Sequence, residues 1–493
     1  MAEIRYVILS DLHFGAANSV LTSLVPLGDE AGATAGQYRS DPASPTPLLE
    51  AMLAGLRQLT AGQDHLPSLI LAGDVLDLAL SPVEVSATAF EGFVDLALAG
   101  PGRMFDPVVY YLPGNHDHHM WERAHQAQYA AYLRHLPPGK AIEAPWRVTP
   151  MLPDRQPPAV ATDLFSTLIQ RRPGCADVAV QVVYPNLALT ARGGRRCLIV
   201  SHGHFIEPIY TLMSQLRDLM FPAQCQPGGA SIATLEEENH AWIEFFWSSM
   251  GRSGQVGVDV SLVYAGLASA ANLDVLSYNL ASGLVDKGHG PSWLRPVERA
   301  LLSAILKREG KHLARFERAT HDVALSPKGR AGLRAYLEGP LRQQMEAELG
   351  QVPPDVGFVF GHTHKPFAER WAIAGYPGTV EIANTGGWVV DTATPALAHG
   401  AAAVLIDEQL NAVSLELYRQ TADGAPAPVR LLAPTSGDGA ANPLGATLAG
   451  TLDPAAQPWR SVSTAAAELV AQRHRLQAHL LARRTDKESQ PDG

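Results

Sequence analysis

Five short apolar runs along the chain each end in a group of polar residues. These runs are residues 4–10, 69–72, 108–112, 197–201 and 357–360. Each run is rich in branched or aromatic side chains and is bounded by turn residues, which is typical of a fully buried strand. Ligand sites in open α/β sheets form at the carboxyl ends of strands, where all five polar groups lie. The pattern therefore predicts an α/β fold in which five strand ends converge on one site.

The segments between and after these strands carry weaker patterns. Apolar spacing predicts helices over 48–60 and 84–99, whereas residues 16–47 and 137–175 are predicted to be irregular. Residues 178–201 are predicted to form a hairpin that leads into the fourth polar group. Further strands are predicted after the fifth polar group, over residues 367–373, 379–385, 401–406 and 412–419.

A block of helical patterns, residues 205–350, separates the fourth and fifth polar groups and is called the insertion below. Its first helix is predicted over 209–220, where one apolar stripe extends along the helix. The stripe consists of Ile209, Leu212, Met213, Leu216, Leu219 and Met220. The residues 235–250 have helical spacing, with aromatic side chains at Trp242, Phe245, Phe246 and Trp247. Such faces most often form the core of their own segment, and a pocket above the site is the alternative.

The C-terminal part of the chain changes in composition. Residues 424–457 are rich in Ala, Pro, Gly and Thr, which is typical of a linker, and a helix is predicted over 462–484. The helix carries four basic residues, Arg473, Arg475, Arg483 and Arg484. A solvated face is the usual role of such a charge run, and a partner or membrane contact is the alternative.

Composition narrows the class of protein. The 493 residues are 46% hydrophobic and 18% charged, as in globular proteins, and the net charge of -11 does not favour nucleic-acid binding. The cysteines, Cys175, Cys197 and Cys225, form no CxxC pair and predict reduced, buried thiols. The N-terminus shows no signal-peptide pattern, and no window is apolar enough for a spanning helix. A cytoplasmic location is therefore predicted, and a peripheral membrane contact stays open.

The polar residues at the strand ends are carboxylates, an amide and imidazoles, without a thiolate. They are Asp11, His13, Asp74, Asn115, His116, Asp117, His202, His362 and His364. Without His116 and Asp117, seven oxygen and nitrogen donors remain, about the number that two adjacent transition-metal ions need. This mixed set suits Mn, Fe or Zn ions in a reactive site and differs from the thiolate set of a structural zinc site.

The same residues occur in five short motifs, in order along the chain. The motifs are Asp11-Leu12-His13, Gly73-Asp74, Gly114-Asn115-His116-Asp117, His202-Gly203 and Gly361-His362-Thr363-His364. Together they resemble the motifs of the calcineurin-like metallophosphoesterases. The resemblance implies a four-layer α-β-β-α sandwich with a large helical insertion. The division implied is 1–204 and 351–420 for the two parts of the core, 205–350 for an insertion that acts as a lid, and 421–493 for a linker and C-terminal helix.

The resemblance also implies a role for each motif residue. The ligands of one metal ion would be Asp11, His13 and His364. The ligands of the other metal ion would be Asn115, His202 and His362. Asp74 would bridge both ions, His116 would act as the catalytic acid, and Asp117 would orient His116. The cofactors implied are two divalent or trivalent transition-metal ions, with Mn expected first and Fe or Zn as alternatives.

The function that follows is hydrolysis of a phosphomonoester or phosphodiester by attack of a metal-bridging hydroxide. One alternative is a pyrophosphatase that acts on a lipid-linked or nucleotide-sugar substrate under an apolar lid, because residues 364–366 (His-Lys-Pro) are similar to the end of the last motif in lipid-precursor pyrophosphatases. An alternative of another class is a non-catalytic binding scaffold, although every motif residue is retained. The expected partner is a phosphorylated small-molecule or lipid-linked substrate.

Several polar residues beside the motifs allow two readings. Asp77 could orient a metal ligand or cap the following helix, and the structural role is favoured. The neighbouring histidines His118, His119 and His204 are expected to be exposed or to support a ligand, and His204 is the best placed of them to contact phosphate. Residues 384–387 (Asn-Thr-Gly-Gly) are predicted to form a tight strand end near the site.

Overall fold

Strands and helices alternate through the part of the chain that the computed structural model describes, namely residues 2–27, 36–153, 162–221, 229–249, 322–432 and 442–488. Its strands are β1 (Ile4–Leu9), β2 (Leu24–Pro26), β3 (Tyr38–Ser40), β4 (Ser68–Leu71), β5 (Val108–Tyr111), β6 (Ala179–Val182), β7 (Asn186–Ala191), β8 (Arg196–Ser201), β9 (Asp355–Phe360), β10 (Phe367–Ala372), β11 (Thr379–Asn384), β12 (Gly400–Asp407), β13 (Ala412–Arg419) and β14 (Arg430–Leu432). The predicted α/β class is confirmed.

The helices cover the sheets and form the described part of the insertion. They are α1 (Pro47–Thr60), α2 (Val83–Ala97), α3 (His118–His135), α4 (Asp163–Gln170), α5 (Leu212–Met220), α6 (Ile232–Ile243), α7 (Pro327–Tyr336), α8 (Arg342–Leu349), α9 (Pro443–Thr451) and α10 (Trp459–Glu488). Local chemistry explains where they begin. At α1, for example, the Thr46 hydroxyl accepts a hydrogen bond from the Leu49 amide, and Pro47 occupies the first turn.

Two mixed sheets carry the five predicted strand ends. The seven-stranded sheet has the order β14-β13-β12-β1-β4-β5-β6, and β1, β4, β5 and β6 run parallel. The five-stranded sheet has the order β10-β11-β9-β8-β7, and β8, β9 and β11 run parallel. A parallel register brings the carboxyl ends of neighbouring strands to one edge. The first three polar groups therefore share an edge of one sheet, and the last two share an edge of the other.

The alternation of side chains along each strand divides the core into three clusters. Ile8 and Ile70 of the seven-stranded sheet join Leu198 and Val200 of the five-stranded sheet in one buried cluster. The opposite face of the seven-stranded sheet packs on α1, α2 and α10. The opposite face of the five-stranded sheet packs on insertion residues, including Trp247. The strands are thus buried on both faces, which explains their continuous apolar sequences.

The apolar stripe of the insertion packs within the insertion in the residues that the structure describes. The stripe begins in a 3-10 turn, Pro208–Thr211, and continues in α5. Leu212 and Leu216 form a small cluster with the half-buried Ile209 and Met213 and with Trp242 of α6. The side chains of Leu219, Met220 and Phe246 and all of 250–321 lie outside the described residues. The observed part of the stripe is therefore core of its own segment.

The aromatic side chains of residues 242–247 do not share one face of a helix. Beyond α6 the chain forms a π-helix, Glu244–Ser249, which rotates successive side chains away from a single stripe. Phe245 is 60% exposed, whereas Trp247 is buried and lies 5.2 Å from the Tyr210 ring. The indole N–H of Trp242 donates to the Ile209 carbonyl over 2.8 Å. The boundaries of the insertion itself stay a prediction.

The C-terminal helix differs from its prediction at one basic residue. Arg473 was expected on a solvated face, yet its side chain is fully buried against the loop that follows β1. Its guanidinium donates to the main-chain carbonyls of Ser19 and Thr22, and burial lowers its pKa to about 9. Arg475 is exposed as expected, and the side chains of Arg483 and Arg484 lie outside the described residues. Arg473 is buried because these main-chain carbonyls need a hydrogen-bond donor. The spacing of residues along the helix does not reveal such a partner.

Other predictions about the irregular segments were partly wrong. The 16–47 loop contains the hairpin β2–β3, the 137–175 region contains α4, and the 424–457 linker contains β14 and α9.

Cys175 and Cys197 are buried free thiols, as predicted, and Cys225 lies outside the described residues. Every helix among the described residues is too short or too polar to span a bilayer.

Candidate metal centre

The five polar groups meet where the carboxyl edges of the two sheets face each other. Side chains of the predicted site are buried there, each at most 3% exposed. They are Asp11, His13, Asp74, Asn115, His116, Asp117, His202, His362 and His364. Burial of so many ionisable groups is costly unless they pair with one another or with an ion.

Two groups of these side chains have their donor atoms close enough to hold an ion. The first ligand group is Asp11, His13 and His364, and the second ligand group is Asp74, His202 and His362. Within each group the donor atoms lie within 4.8 Å of one another. A third such group, His13, Asp74 and His116, connects the two. The buried histidine and aspartate groups therefore fit a metal site.

Asp74 lies between the two groups. Its Oδ2 atom is 3.6 Å from Nε2 of His13 and 3.4 Å from Nε2 of His202. Its Oδ1 atom accepts a hydrogen bond from the main-chain amide of His116 over 2.7 Å. One oxygen thus fixes the carboxylate while the other faces histidines of both ligand groups, as a bridging ligand requires.

Three histidine rings are turned so that Nε2 faces the carboxylates. Nδ1 of His13 donates to Asp77 over 2.8 Å, and Nδ1 of His364 donates to Asp391 over 3.1 Å. Nδ1 of His202 donates to the main-chain carbonyl of Ala72 over 3.1 Å. Metal-binding histidines are oriented in this way by acceptors on the nitrogen that does not bind the ion. The Nε2 atom of His364 lies 3.4 Å from Oδ1 of Asp11, within the first ligand group.

His362 is oriented through the other nitrogen. Its Nε2 atom lies 2.7 Å from Oε1 of Glu207, in the first turn of the insertion. Glu207 is only 6% exposed and had no motif that would identify it in the sequence. This contact was not predicted from the sequence, where the available signal was an acidic residue five positions after His202.

Asn115 contacts the second ligand group through its side-chain oxygen. Oδ1 of Asn115 accepts a hydrogen bond from Nε2 of His202 over 2.9 Å. Both ring nitrogens of His202 therefore face oxygen atoms, Nδ1 the Ala72 carbonyl and Nε2 the Asn115 amide. Burial alone would lower the pKa of His202, but the Asp74 carboxylate raises it to about 9. A metal ion in this position would replace the Nε2 proton, because metal ligands bind in the deprotonated form.

The backbone at the site adopts conformations that side chains rarely allow. Five candidate ligands have a left-handed φ angle, namely Asp11 (51°), His13 (47°), Asp74 (50°), His362 (69°) and His364 (60°). Only two other non-glycine residues, Arg192 and Leu410, do so among the described residues. Each such residue costs of the order of 1 kcal/mol or more, and strain of this kind concentrates at functional sites.

Two motif glycines are required by close approach. A Cβ atom at Gly114 would lie 2.3 Å from Oδ1 of Asp74, and one at Gly361 would lie 2.1 Å from Oδ2 of Asp11. Any side chain at either position would displace a candidate ligand. The glycine that precedes Asn115 and the one that precedes His362 are thus part of the site geometry and not only turn formers.

His116 is held by Asp77. Its Nδ1 atom lies 3.2 Å from Oδ1 of Asp77, and its ring meets the His13 ring edge-on at 4.8 Å. Asp77 also accepts from the Leu80 amide over 2.8 Å, so it both orients imidazoles and caps a turn. Burial raises the pKa of Asp77, but the His116 and His13 rings lower it further, below its usual range. The reading in which Asp77 orients imidazoles therefore fits the structure, whereas the favoured helix-cap reading was wrong, because α2 begins after Pro82 without a side-chain cap.

Asp117 does not orient His116, contrary to the prediction. Its carboxylate accepts hydrogen bonds from the main-chain amides of Gly114 (2.6 Å), Val75 (2.8 Å) and Asp74 (3.2 Å). The side chain turns back onto the loops after β4 and β5, because their buried amides need an acceptor. Asp117 therefore fixes the relative position of two ligand-bearing loops. Burial and the Asp74 charge raise its pKa.

Imidazole rings lower the pKa values of both buried carboxylates in the two ligand groups. Burial raises the pKa of Asp11, but a hydrogen bond from His364 and the charge of His202 lower it to about 2. Burial likewise opposes the charge of Asp74, and the rings of His202 and His116 hold its pKa well below the ordinary value. Two anionic oxygens surrounded by imidazoles form an environment that attracts a cation.

The histidines beside the motifs connect the site to the insertion. His118 is fully buried, with Nε2 2.9 Å from Glu236 and Nδ1 3.4 Å from Glu244. His119 lies 2.6 Å from Glu244. His204 is also buried, with Nε2 3.3 Å from the Tyr184 hydroxyl. Of these three only His119 has a partly exposed side chain, and the carboxylates that face His118 and His119 belong to Glu236 and Glu244 and not to a candidate ligand.

Comparisons with known proteins add little to this geometry. No family model matches the sequence, and no curated protein matches it. Among solved structures, the crystal structure of phosphopantetheinyl hydrolase (PptH) from Mycobacterium tuberculosis aligns with 78% of this chain and 90% of that chain. The identity is 13% and the TM-score is 0.23. A TM-score this low does not define a common fold, so the functional conclusion depends on the site geometry.

Proposed function

We propose that the protein is a dinuclear-metal-dependent phosphoesterase of the calcineurin-like type, built on a four-layer α-β-β-α sandwich. The observation that carries the proposal is the position of Asp74 Oδ2, which faces histidines of both ligand groups within 3.6 Å. Two further features support it. Asn115 adds an amide oxygen to the second ligand group, and His116 lies beside both groups without being needed to complete either.

The donor set indicates which ions the site would hold. The first ion would be bound by Asp11, His13 and His364, and the second by Asn115, His202 and His362, with Asp74 shared. Carboxylate, amide and imidazole donors without sulfur suit Mn, and Fe or Zn also accept them. Asp77 occupies the position where the related purple acid phosphatases carry a tyrosine, so we expect no tyrosinate-to-iron absorption even with iron bound.

The chain supplies an acid for the departing group. When bound, a pair of cations lowers the pKa of water and stabilises charge on phosphoryl oxygens. Because Nδ1 of His116 faces Asp77, the proton that this ring can give to the substrate is on Nε2. The ring would transfer that proton to the leaving oxygen as the P–O bond breaks and would regain a proton from water. Such acid catalysis contributes about 10²–10⁴-fold.

The alternative of a lipid-linked pyrophosphate under an apolar lid has less support. The described part of the insertion stripe, including Met213, packs on α6 and not over the ligand groups. A phosphomonoester or phosphodiester of a soluble molecule is therefore the substrate class proposed first. A nucleic-acid substrate is not proposed, because the net charge is -11.

Metal analysis combined with a substrate screen tests the proposal. We expect about two transition-metal ions per chain after loading with Mn²⁺, and turnover of phosphomonoesters or phosphodiesters in a Mn²⁺-supplemented screen. The screen also includes pyrophosphates with and without an acyl chain, which separates the lipid-linked alternative. Two bound ions without turnover of any substrate would favour the non-catalytic scaffold. A chain that binds no transition metal would overturn the proposal.

A further inference from the structure

The histidine rings of the two ligand groups are all oriented, but the orienting atoms come from different parts of the chain. The acceptors for His13 and His364 are carboxylates of core loops, and the acceptor for His202 is the Ala72 carbonyl beside β4. The His362 ring differs, because Glu207 of the insertion faces its Nε2 atom at 2.7 Å. The insertion thus contributes directly to the surroundings of one candidate ligand.

The position of Glu207 is fixed by the fold of the insertion. Its amide donates to the His204 carbonyl, and its carbonyl accepts from the Tyr210 amide, each over 3.1 Å. Helix α7 packs closely on the same turn, since a Cβ atom at Gly332 would lie 2.0 Å from the Ile206 carbonyl oxygen. The turn that carries Glu207 is therefore clamped between the end of β8 and a helix from the far end of the insertion.

Tyr210 adds a second contact from the same turn. Its ring meets the His362 ring edge-on with centroids 4.9 Å apart, at an interplanar angle of 79°. Tyr210 is buried and also contacts Trp247, so it cannot rotate away without disturbing the insertion. Glu207 and Tyr210 thus contact the His362 ring from the same turn, and the Glu207 carboxylate faces Nε2.

We propose that Glu207 is a positioning residue that holds His362 for one of the two cations, so that the insertion helps to set the affinity of that cation site. The inference depends on the proposed dinuclear centre and deepens it. A carboxylate on the outer nitrogen fixes the tautomer and makes the ring a stronger ligand. The second cation is accordingly linked to docking of the insertion, whereas the carboxylates that face His13 and His364 of the first ligand group belong to core loops.

Competition titrations of the full chain with Mn²⁺ and a chelator test the proposal. Glu207→Ala should weaken the binding of one of the two Mn²⁺ ions by about 10–100-fold and leave the affinity for the other within about twofold of the wild type. Glu207→Gln keeps an oxygen acceptor without the charge and should show a smaller loss of affinity for the same ion. Asp391→Ala is the matched control, because it removes the equivalent carboxylate from His364 and should weaken the other ion.

Melting of the chelator-treated protein separates positioning from a general structural role. We expect Glu207→Ala to melt close to the wild type without metal and below it with Mn²⁺. Unchanged affinity for both ions, or an equal loss of both, would overturn the proposal while leaving the dinuclear centre in place. The same holds if the variant is destabilised equally with and without Mn²⁺. Absence of Mn²⁺ binding by the wild type would instead reject the dinuclear centre itself.

Discussion

The two ligand groups differ in how their surroundings fix them. In the first ligand group, both histidine rings donate to carboxylates, Asp77 and Asp391, that belong to loops of the two sheets. In the second ligand group, one ring donates to a main-chain carbonyl and the other faces Glu207 of the insertion. A carboxylate strengthens an imidazole ligand more than a carbonyl does. We therefore expect the first group to hold its cation more tightly than the second.

The same difference extends to the segments behind the ligands. The loop after β1, which follows His13, is fixed by Arg473 of the C-terminal helix through the Ser19 and Thr22 carbonyls. The second ligand group depends on a turn that is packed between β8 and α7. One half of the centre is thus supported by the core and the C-terminal helix, and the other half by an inserted segment. Order of cation loss on chelation would show whether this asymmetry matters.

The largest expected effect comes from removing the residue that the two groups share. Asp74→Ala deletes the carboxylate that faces both groups, so we expect loss of both ions and activity at the assay background. Asn115→Ala should mainly weaken binding of the second ion, and it serves as the comparison. Elemental analysis after gel filtration measures both. Two tightly held ions in the Asp74→Ala protein would refute the bridging role.

The next largest effect should separate chemistry from metal binding. His116→Ala should keep both ions and lose about 10²–10⁴-fold in kcat/KM, or roughly 2.7–5.5 kcal/mol of transition-state stabilisation. The loss should be smaller with a nitrophenyl ester, because nitrophenolate departs without a proton. Steady-state kinetics with alkyl and nitrophenyl esters provide the measurement. Equal losses for good and poor leaving groups would remove His116 from the acid role.

A third change acts on the first ligand group and the acid together. Asp77→Asn weakens the hydrogen bonds to His13 and His116, so we expect about 10–100-fold weaker binding of the first ion and a lower rate at saturating metal. Asp391→Asn is the control, because Asp391 faces His364 and Asn18, away from the Asp77–His116 contact, and the change should leave the rate at saturating metal nearly intact. Metal titrations of kcat would distinguish them. Identical behaviour of the two variants would show that Asp77 does not act through His116.

A smaller effect is expected in the insertion. Met213→Asp places a charge in the half-buried cluster of Leu212 and Leu216, which should cost about 1–3 kcal/mol of stability. Since this cluster is core of the insertion, KM should change equally for matched substrates with and without an acyl chain. Calorimetry and paired kinetics test this. A selective rise in KM for the acylated substrate would instead revive the apolar-lid alternative.

The smallest effect concerns pH and the contact between His118 and the insertion. Burial lowers the pKa of His118, but Glu236 and Glu244 raise it to about 10. The stabilisation of the fold by protonated His118 beside these glutamates is therefore complete below about pH 6.5, and it is lost as the pH rises towards 10. His118→Gln should flatten the alkaline decline in melting temperature by a few degrees at most. His119→Gln keeps the Glu236 contact and is the control. An unchanged alkaline slope in His118→Gln would contradict this account.

The sequence alone determined the residues that could form the centre and where they would meet. Motifs such as Gly73-Asp74 follow short apolar runs, and parallel neighbours must end at a common edge, so convergence follows from local patterns. The predicted strands and the helices α1 and α2 occur within a few residues of their expected ends. These strands could be predicted because they are buried on both faces, and a short, continuous apolar run between turn residues is typical of such a strand.

The tertiary structure alone decided which acceptor each side chain meets. Asp77 and Asp117 are both acidic and both lie within four residues of a ligand, yet only Asp77 reaches the histidine rings and Asp117 binds main-chain amides. Glu207 and Arg473 are buried against partners 155 and 454 residues away along the chain, His362 and Ser19. Such pairings depend on directions of side chains across packed loops, and no periodicity of hydrophobic positions encodes them.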